Sequence, residues 1–338
     1  MSENNFDLLI VGAGPIGMTC AIEAQKAGLK YIVIEKGVLV NSLYHFPTNM
    51  TFFSTSKKLE IGGIPFISHN EKPTRREALE YFRRVNESWK LNINYYETVL
   101  NINQLASNFF QVETSKSSYK SKAVVVVTGF YDVVKKLNIS GEDLPKVKHY
   151  YDDWHPYIGQ KVVVVGAANS ACDVALELYH KGAEVTMVVR KESISPRVKY
   201  WIKPNIENRI KEGSIQAFFN SNLKEIKPHE VIVKTPKEEI NIKNDFVLAM
   251  TGYQPDFDFF KKIGIQFEAD EYDTPIHNPE TLETNISNLY IAGVINAGKY
   301  TSKLFIENTR HHAALIVGDI LKKKEVADIR KSQGESFH

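Results

Sequence analysis

Residues 7–17 of the chain read DLLIVGAGPIG, an apolar run that closes on the spacing G-x-G-x-x-G. The run predicts a short buried strand, and the apolar periodicity of residues 18–27 predicts a helix that ends at Gly28. A second apolar run at 31–34 predicts the next strand, which is followed directly by Glu35. A strand, a glycine turn, a helix and a parallel strand form the βαβ unit of a doubly wound sheet.

The same order of elements is predicted a second time. Residues 161–165 (KVVVV) predict a strand, residues 166–171 (GAANSA) a turn, residues 172–180 a helix and residues 184–189 the following strand. We therefore predict an α/β fold with two Rossmann-like dinucleotide-binding domains.

The order of the strands predicts that the second domain is inserted in the first. Apolar strands at 123–128 and 246–251 each end on Thr-Gly, and they flank the second βαβ unit. The predicted domains are 1–148 with 256–338 and, between them, 149–255. Antiparallel strands are also predicted at 92–96 and 109–114, and a long amphipathic helix at 304–322.

Charge and cysteine content are those of an ordinary globular protein. The chain has 42 Lys and Arg residues against 40 Asp and Glu residues, a net charge of +2 that gives no reason to expect nucleic acid or an anionic membrane as a partner. No signal peptide is predicted, and no apolar run approaches the roughly 20 residues that span a bilayer. Two cysteines, Cys20 and Cys172, indicate a reducing compartment, so we expect a cytoplasmic protein. No metal site is predicted, because the histidines lack companion ligands at suitable spacing.

The first glycine turn has the residues that bind a dinucleotide. Gly12 makes the tight turn, Gly14 lets the backbone approach a pyrophosphate, and Gly17 lets the helix pack close to the strand. The helix N-terminus offers partial positive charge to the phosphates. Glu35, which lies 23 positions after Gly12, is placed to accept hydrogen bonds from ribose hydroxyls.

The second unit ends in basic residues where the first ends in an acid. Arg190 lies 24 positions after Gly166, almost where Glu35 stands after Gly12. Lys191 follows it, and Arg197 comes shortly after. Arg pairs with a 2′-phosphate through charge-assisted hydrogen bonds, whereas an acid repels it. The second domain is therefore predicted to bind NADPH. Two such sites in one chain imply electron flow from NADPH to FAD, with FAD at the first turn.

Several stretches resemble the thioredoxin-reductase-like flavoproteins, and more closely the YpdA-type bacillithiol-disulfide reductases. They are 49–55 (NMTFFST), 59–66 (LEIGGIPF), 141–151 (GEDLPKVKHYY), 198–214 (VKYWIKPNIENRIKEGS), 290–298 (YIAGVINAG) and 304–308 (LFIEN). The resemblance implies FAD, NADPH, a homodimer and a low-molecular-weight disulfide, such as bacillithiol disulfide, as the substrate. A small redox protein is the other acceptor considered.

The chain also departs from the pattern of that family. Classical thioredoxin reductases carry C-x-x-C, which this sequence lacks, and an A-G-D motif in which Val294 here replaces the Asp. Many YpdA-type proteins have a Cys in the first glycine turn where this chain has Ile16. We interpret Cys20 and Cys172 as packing residues of the two helices, so no catalytic residue is identified.

The candidate cofactor-binding residues fall into two sets. Those expected to bind FAD are Gly12, Ala13, Gly14, Pro15, Ile16, Gly17, Glu35, Lys36, Asn41, Ser42, Thr128, Gly129, Gly293, Val294 and Phe305. Those expected to bind NADPH are Gly166, Ala168, Asn169, Ser170, Arg190, Lys191 and Arg197.

Other functions share the predicted fold. A reductase of the ferredoxin–NADP or flavodoxin–NADP type shares this fold and also lacks C-x-x-C. A flavin monooxygenase is considered because of the run from Gly141 through His149 to Trp154, although its spacing does not match the usual monooxygenase pattern. A redox-sensing regulator would bind both nucleotides without turnover. The predicted function is that of an NADPH-dependent FAD oxidoreductase that reduces a low-molecular-weight disulfide, with these three as alternatives.

Overall fold

The computed structural model describes residues 5–106 and 109–332 of the chain, which form two compact units. The first consists of the described residues up to Val133 and from Gln254 onward, and the second is Val134–Tyr253. The second unit begins before the predicted residue 149, because Leu137, Ile139 and Leu144 pack in its core. Both crossings of the chain lie in short strands.

The elements of the first unit before the insertion are β1 (Asn5–Val11), α1 (Pro15–Lys26), β2 (Tyr31–Ile34), α2 (Asn41–Tyr44), a 3-10 helix (Ser56–Leu59), α3 (Arg75–Trp89), β3 (Ile93–Asn94), β4 (Val99–Gln104), β5 (Phe110–Thr114), β6 (Ser118–Val126) and β7 (Val133–Val134). The second unit has β8 (Val147–Lys148), a 3-10 helix (His155–Tyr157), β9 (Lys161–Val165), α4 (Asn169–His180), β10 (Glu184–Val188), α5 (Lys203–Lys211), β11 (Gln216–Phe218), β12 (Asn222–Ile226), β13 (Glu230–Lys234), β14 (Glu239–Lys243), β15 (Phe246–Ala249) and β16 (Tyr253–Gln254). The first unit resumes with α6 (Phe257–Lys262), β17 (Leu289–Ile291), a 3-10 helix (Gly293–Ala297), α7 (Ile306–Thr309) and α8 (His312–Ser332).

Strand β6 is the centre of the seven-stranded sheet of the first unit. The sheet has the order β3-β2-β1-β6-β5-β4, and β17 also pairs with β6. One edge of β6 pairs in parallel with β1, while its other edge pairs antiparallel with β5 and then in parallel with β17. The predicted antiparallel strand at 92–96 is wrong: β3 pairs in parallel with β2, because the chain returns through helix α3.

Alternate residues of β1 enter the cores on the two faces of this sheet. Leu8 and Ile10 pack on the side of α1, α3 and α8, whereas Leu9 and Val11 pack with residues of β5, α6 and β17. The prediction of one helix at 304–322 is wrong, since α7 ends at Thr309 and α8 begins at His312 and continues past residue 322. None of the described helices is long and apolar enough to cross a membrane.

The second unit has a five-stranded parallel sheet with the order β11-β10-β9-β15-β8. Val162 and Val164 of β9 pack in the same core as residues of α4, and Val163 packs with Val231 and Val233 of the antiparallel sheet β12-β13-β14. Each unit thus carries a helix that follows a glycine turn and packs on parallel strands. The predicted fold class, two Rossmann-like domains with the second inserted in the first, is confirmed.

Candidate functional site

The first unit contains a cavity of about 820 Å³ at the carboxyl ends of β1, β2 and β6. This volume lies in the range of roughly 300–1,000 Å³ that is typical of small-molecule and cofactor sites. All the first-unit candidate residues line the cavity except Ala13 and Gly17, which are buried behind its wall. The cavity therefore brings together residues that are far apart in the sequence.

Part of the cavity wall was missed by sequence reasoning. Glu97, Thr98 and Val99 reach it at the start of β4, and Asp256 and Phe259 reach it at the start of α6. These residues carry no local motif, and they meet the glycine turn only through the order of the strands in the sheet.

Two glycines of the first turn are required by close backbone contacts. Gly12 has φ +110°, and a Cβ there would lie 2.8 Å from the carbonyl oxygen of Val127. A Cβ at Gly17 would lie 1.9 Å from the carbonyl oxygen of Gly12, so only glycine lets helix α1 pack this close to the turn. At Gly14, by contrast, a Cβ would meet nothing within 4 Å, and this residue faces the cavity.

Several polar groups of this wall fit an anionic, hydrogen-bonding ligand. Helix α1 has Gly14 as its N-cap and no side-chain cap, so its first N–H groups remain to bind an anion. The Oγ1 atom of Thr128 is buried and has no hydrogen-bond partner among the described residues, although Thr128 lines the cavity. Buried polar groups are almost always paired. These features fit a bound dinucleotide, with its pyrophosphate at the helix and a further polar group at Thr128.

Glu35 ties the end of β2 to the glycine turn. Its Oε2 accepts a hydrogen bond from the Ala13 N–H at 2.7 Å, and its Oε1 accepts one from the Gly37 N–H at 2.9 Å. Burial raises the pKa of this carboxyl above its usual value, and the two backbone hydrogen bonds partly offset that effect. Each oxygen has a further lone pair, so Glu35 is still able to accept ribose hydroxyls from the cavity that it lines.

Ile16 and Gly293 lie against each other on the same cavity wall. A Cβ at Gly293, which has φ +83°, would be 3.4 Å from Cγ1 of Ile16. The Gly293 N–H donates to Nδ1 of His312 at 3.2 Å. Burial, with smaller contributions from His311 and His277, lowers the pKa of His312 to about 4, so at neutral pH the ring is uncharged and Nδ1 accepts. This bond fixes the turn that carries Val294.

The second glycine turn is held to a basic loop. Gly166 has φ +128°, and a Cβ there would lie 2.6 Å from the carbonyl oxygen of Met250. Asn169 accepts a hydrogen bond from the Lys199 N–H and donates one to the Arg197 carbonyl oxygen. Asn169, a candidate NADPH-binding residue, therefore also holds residues 195–199 beside the turn.

The candidate NADPH-binding cations lie on that same loop or at its start. Arg190 and Lys191 follow β10 directly, and Arg197 lies in the held segment. All three are exposed. Neither the Arg190 nor the Lys191 side chain has a hydrogen bond or salt bridge to another described residue. A separate cavity of about 280 Å³ in this unit lies at the amino ends of β9, β10 and β11, opposite the turn.

Both cysteines are fully buried, as interpreted from the sequence. Burial raises the pKa of Cys20 to about 12 and that of Cys172 to about 12. Since the thiolate is the nucleophile in disulfide exchange, neither residue is prepared for that reaction.

Comparison with known proteins agrees with this arrangement. Residues 9–293 match the family model described as pyridine nucleotide-disulphide oxidoreductase. A Bacillus subtilis (strain 168) protein named bacilliredoxin reductase Bdr is 44% identical, with 94% of this chain and 98% of that protein covered. The solved structure of bacillithiol disulfide reductase Bdr (YpdA) from Staphylococcus aureus shares 42% identity and a TM-score of 0.91, covering 95% of this chain and 99% of that one. The solved structure of bacillithiol disulfide reductase Bdr (YpdA) from Bacillus cereus shares 43% identity and a TM-score of 0.92, covering 94% of this chain and 99% of that one.

The fold and the matched family define a flavoprotein oxidoreductase. The chain belongs to the pyridine nucleotide-disulphide oxidoreductase family, and the resemblance to YpdA-type proteins is confirmed. It is an NADPH-dependent oxidoreductase that uses FAD.

Proposed function

We propose that the chain reduces a low-molecular-weight disulfide such as bacillithiol disulfide, with electrons passing from NADPH to FAD to the acceptor. The full-length similarity to the Staphylococcus aureus protein carries the proposal, because that protein is named as a bacillithiol disulfide reductase. The predicted alternatives have less support, because none of the three relatives described above is named for them. These alternatives are a ferredoxin–NADP or flavodoxin–NADP reductase, a flavin monooxygenase and a redox-sensing regulator.

A small redox protein is a second candidate acceptor. The Bacillus subtilis relative is named for the reduction of bacilliredoxin, which favours this candidate. We expect that enzyme reduced by NADPH will be reoxidised faster by bacillithiol disulfide than by oxidised bacilliredoxin, ferredoxin, quinones or oxygen in stopped-flow experiments. Fastest reoxidation by ferredoxin or oxygen would contradict the proposal.

We also propose where the cofactors bind. The first-unit cavity holds FAD, with its pyrophosphate at the N-terminus of α1, its adenosine ribose at Glu35 and the remaining candidate residues around it. The turn at Gly166 holds NADPH, with the 2′-phosphate at Arg190, Lys191 and Arg197. FAD supplies a two-electron carrier between NADPH and the acceptor. The chain itself orients both nucleotides and removes water from the cavity.

The buried cysteines lead to a prediction about turnover. A Cys20→Ala, Cys172→Ala double variant is expected to retain more than half of its disulfide-dependent NADPH oxidation per bound FAD, because Ile16 and not a thiol lines the cavity. Each Cys→Ala replacement leaves a small cavity that lowers the free energy of unfolding by roughly 1 kcal/mol, so some folded protein is lost. Expressing the activity per bound FAD corrects for this loss. Intact flavin reduction by NADPH with loss of disulfide turnover would show that one thiol forms a mixed disulfide.

Assembly and location follow as further proposals. Helix α8 exposes Leu315, Leu321, Val326 and Ile329, each between 37% and 49% accessible, and these side chains favour a homodimer. Light scattering that gives the mass of one chain at micromolar concentration would contradict this.

Two unpaired cysteines support a cytoplasmic location, which cell fractionation tests.

A further inference from the structure

A buried carboxylate lies in the wall of the first-unit cavity without a cation beside it. Glu97 is 2% exposed, lines the cavity and forms no salt bridge with any residue of the described ranges. Taking a carboxylate out of water is costly unless hydrogen bonds replace the lost hydration. A hydrophobic side chain of similar volume would fill the same space at a lower cost, so the carboxylate calls for a role of its own.

Three side chains from three different strands donate hydrogen bonds to this carboxylate. Its Oε1 accepts from Oγ1 of Thr114 at 2.5 Å and from the hydroxyl of Tyr119 at 3.0 Å, and its Oε2 accepts from Nδ2 of Asn94 at 3.1 Å. Burial, followed by the Glu97 carboxylate, raises the pKa of Tyr119, so its hydroxyl stays protonated and donates. Glu97 thus ties β3, β5 and β6 together at one point.

The backbone of Glu97 is bonded to Glu35. The Glu97 N–H donates to the Glu35 carbonyl oxygen at 2.9 Å, and the Glu35 N–H donates to the Asn94 carbonyl oxygen at 2.8 Å. The next two residues, Thr98 and Val99, also line the cavity. We call residues 97–99 the 97–99 wall. Its position relative to Glu35 is fixed by the backbone bonds on one side and by the carboxylate network on the other.

The 97–99 wall lies at one end of the cavity. Glu97 follows β3, which is the strand beyond β2 in the sheet, whereas Gly293 follows β17, which pairs with β6 on the far side of β1. The wall is therefore at the end of the cavity that contains Glu35, and Gly293 is at the other end. With the adenosine ribose of FAD at Glu35, as proposed above, the surface next to the ribose is the 97–99 wall.

We propose that Glu97 is a positioning residue for the adenosine half of FAD, and that its network makes the first unit select FAD over FMN. Glu97 acts through Thr98 and Val99, which form the surface for the adenine. Because the hydrogen bonds hold this surface in place before the ligand binds, little conformational entropy is lost on binding. The inference rests on the proposed position of FAD and is independent of the electron acceptor.

The test measures how tightly the full chain, freed of its cofactor, binds FAD and FMN. Glu97→Gln keeps the size of the side chain but replaces one accepting oxygen by an amide NH2 group, so a donor of the network loses its acceptor. The affinity for FAD in a fluorescence titration should fall about 10-fold or more. The affinity for FMN should stay the same, because FMN has no adenosine to reach the 97–99 wall.

A second probe is ADP, which contains the adenosine half without the flavin. Its affinity for the first-unit cavity is obtained from its competition with FAD, so that ADP bound elsewhere on the chain does not count. Glu97→Gln should weaken ADP binding by the same factor as FAD binding. Tyr119→Phe removes one of the three donors and should weaken both about 3-fold, again without a change for FMN.

Glu142→Gln in the second unit is the matched control. Glu142 is 7% exposed, and its carboxylate accepts hydrogen bonds from the N–H groups of Leu137 and Asn138 at 2.6 and 2.7 Å. It does not line the first-unit cavity, so this variant should bind FAD, FMN and ADP as the unmodified chain does. Circular dichroism of each FAD-free variant gives the folded fraction, and affinities are expressed per folded protein.

Equal losses for FAD and FMN in Glu97→Gln would overturn the inference, because they would show a general loss of structure. Unchanged FAD affinity, or a loss for FAD that ADP does not share, would overturn it as well. If Glu97→Gln does not fold without FAD, the Tyr119→Phe titrations decide between the same outcomes. Glu35→Ala tests the proposed ribose position separately: if it binds ADP normally while Glu97→Gln does not, the ribose position is wrong and the role of Glu97 stands.

Discussion

Replacing Gly17 by Ala is expected to yield protein that neither folds stably nor retains FAD. The new Cβ would lie 1.9 Å from the Gly12 carbonyl oxygen and 3.2 Å from a methyl of Val127, and the first of these is a backbone atom that no rotamer change relieves. Overpacking a core commonly lowers the free energy of unfolding by about 1–3 kcal/mol. Because this clash involves a backbone atom, we expect a loss of about 3 kcal/mol or more. Denaturant unfolding of the FAD-free protein measures this loss.

Gly14→Ala is the matched comparison for that variant. Gly14 has φ −69° and a Cβ there would meet nothing within 4 Å, so the free energy of unfolding of the FAD-free protein should change by less than about 1 kcal/mol. The methyl group would instead occupy space that a pyrophosphate needs beside helix α1, and FAD affinity in a fluorescence titration should fall about 10-fold or more. Normal FAD affinity in Gly14→Ala would contradict the proposed position of the pyrophosphate.

The second large effect is expected in the choice between NADPH and NADH. The unmodified enzyme should reduce its flavin much faster with NADPH. An Arg190→Ala, Lys191→Ala double variant should lose about 100-fold or more in kcat/KM for NADPH, since each charge-assisted hydrogen bond contributes roughly 1.5–3 kcal/mol. The loss should appear mainly in KM, because these groups would contact a phosphate remote from the reacting carbon. Activity with NADH should stay the same.

A control for general charge effects is available in the same unit. Lys211 and Lys234 are also exposed, and their double replacement by Ala should leave the preference for NADPH unchanged. Equal rates of flavin reduction by NADPH and NADH in the unmodified enzyme would contradict the proposal that Arg190 and Lys191 bind the 2′-phosphate.

Elements with strong local periodicity were predicted closely, and elements that depend on tertiary contacts were not. Helices α1 and α4 follow glycine turns and have apolar residues at helical spacing, so their positions could be read from the sequence. The direction of β3 depends on the crossover through α3 and has no local signal. The break between α7 and α8 also has a nonlocal component, since the ring of His312 accepts a hydrogen bond from the Gly293 N–H.

The candidate site shows the same distinction. The glycine turn, Glu35 and the Thr-Gly strand end are local signals, and the structure places Gly12, Glu35 and Thr128 around one cavity. The pairing of Ser54 with Glu307 joins residues at opposite ends of the chain, and no spacing rule predicts it. Asn169 was predicted as a nucleotide ligand from its position in a turn, although its amide also holds the basic loop.

The discontinuous first unit has a consequence for the order of events during synthesis on the ribosome. Its core includes Leu289 and Ile291 of β17 and Ala313 and Ile316 of α8, so it stays incomplete until nearly the whole chain has emerged. The second unit draws its core from residues 137–250 alone. Domains commonly fold in order from the N-terminus as they are made. We therefore expect the inserted domain to complete its folding first, whereas the core of the first unit cannot be completed until the C-terminal helix has been made.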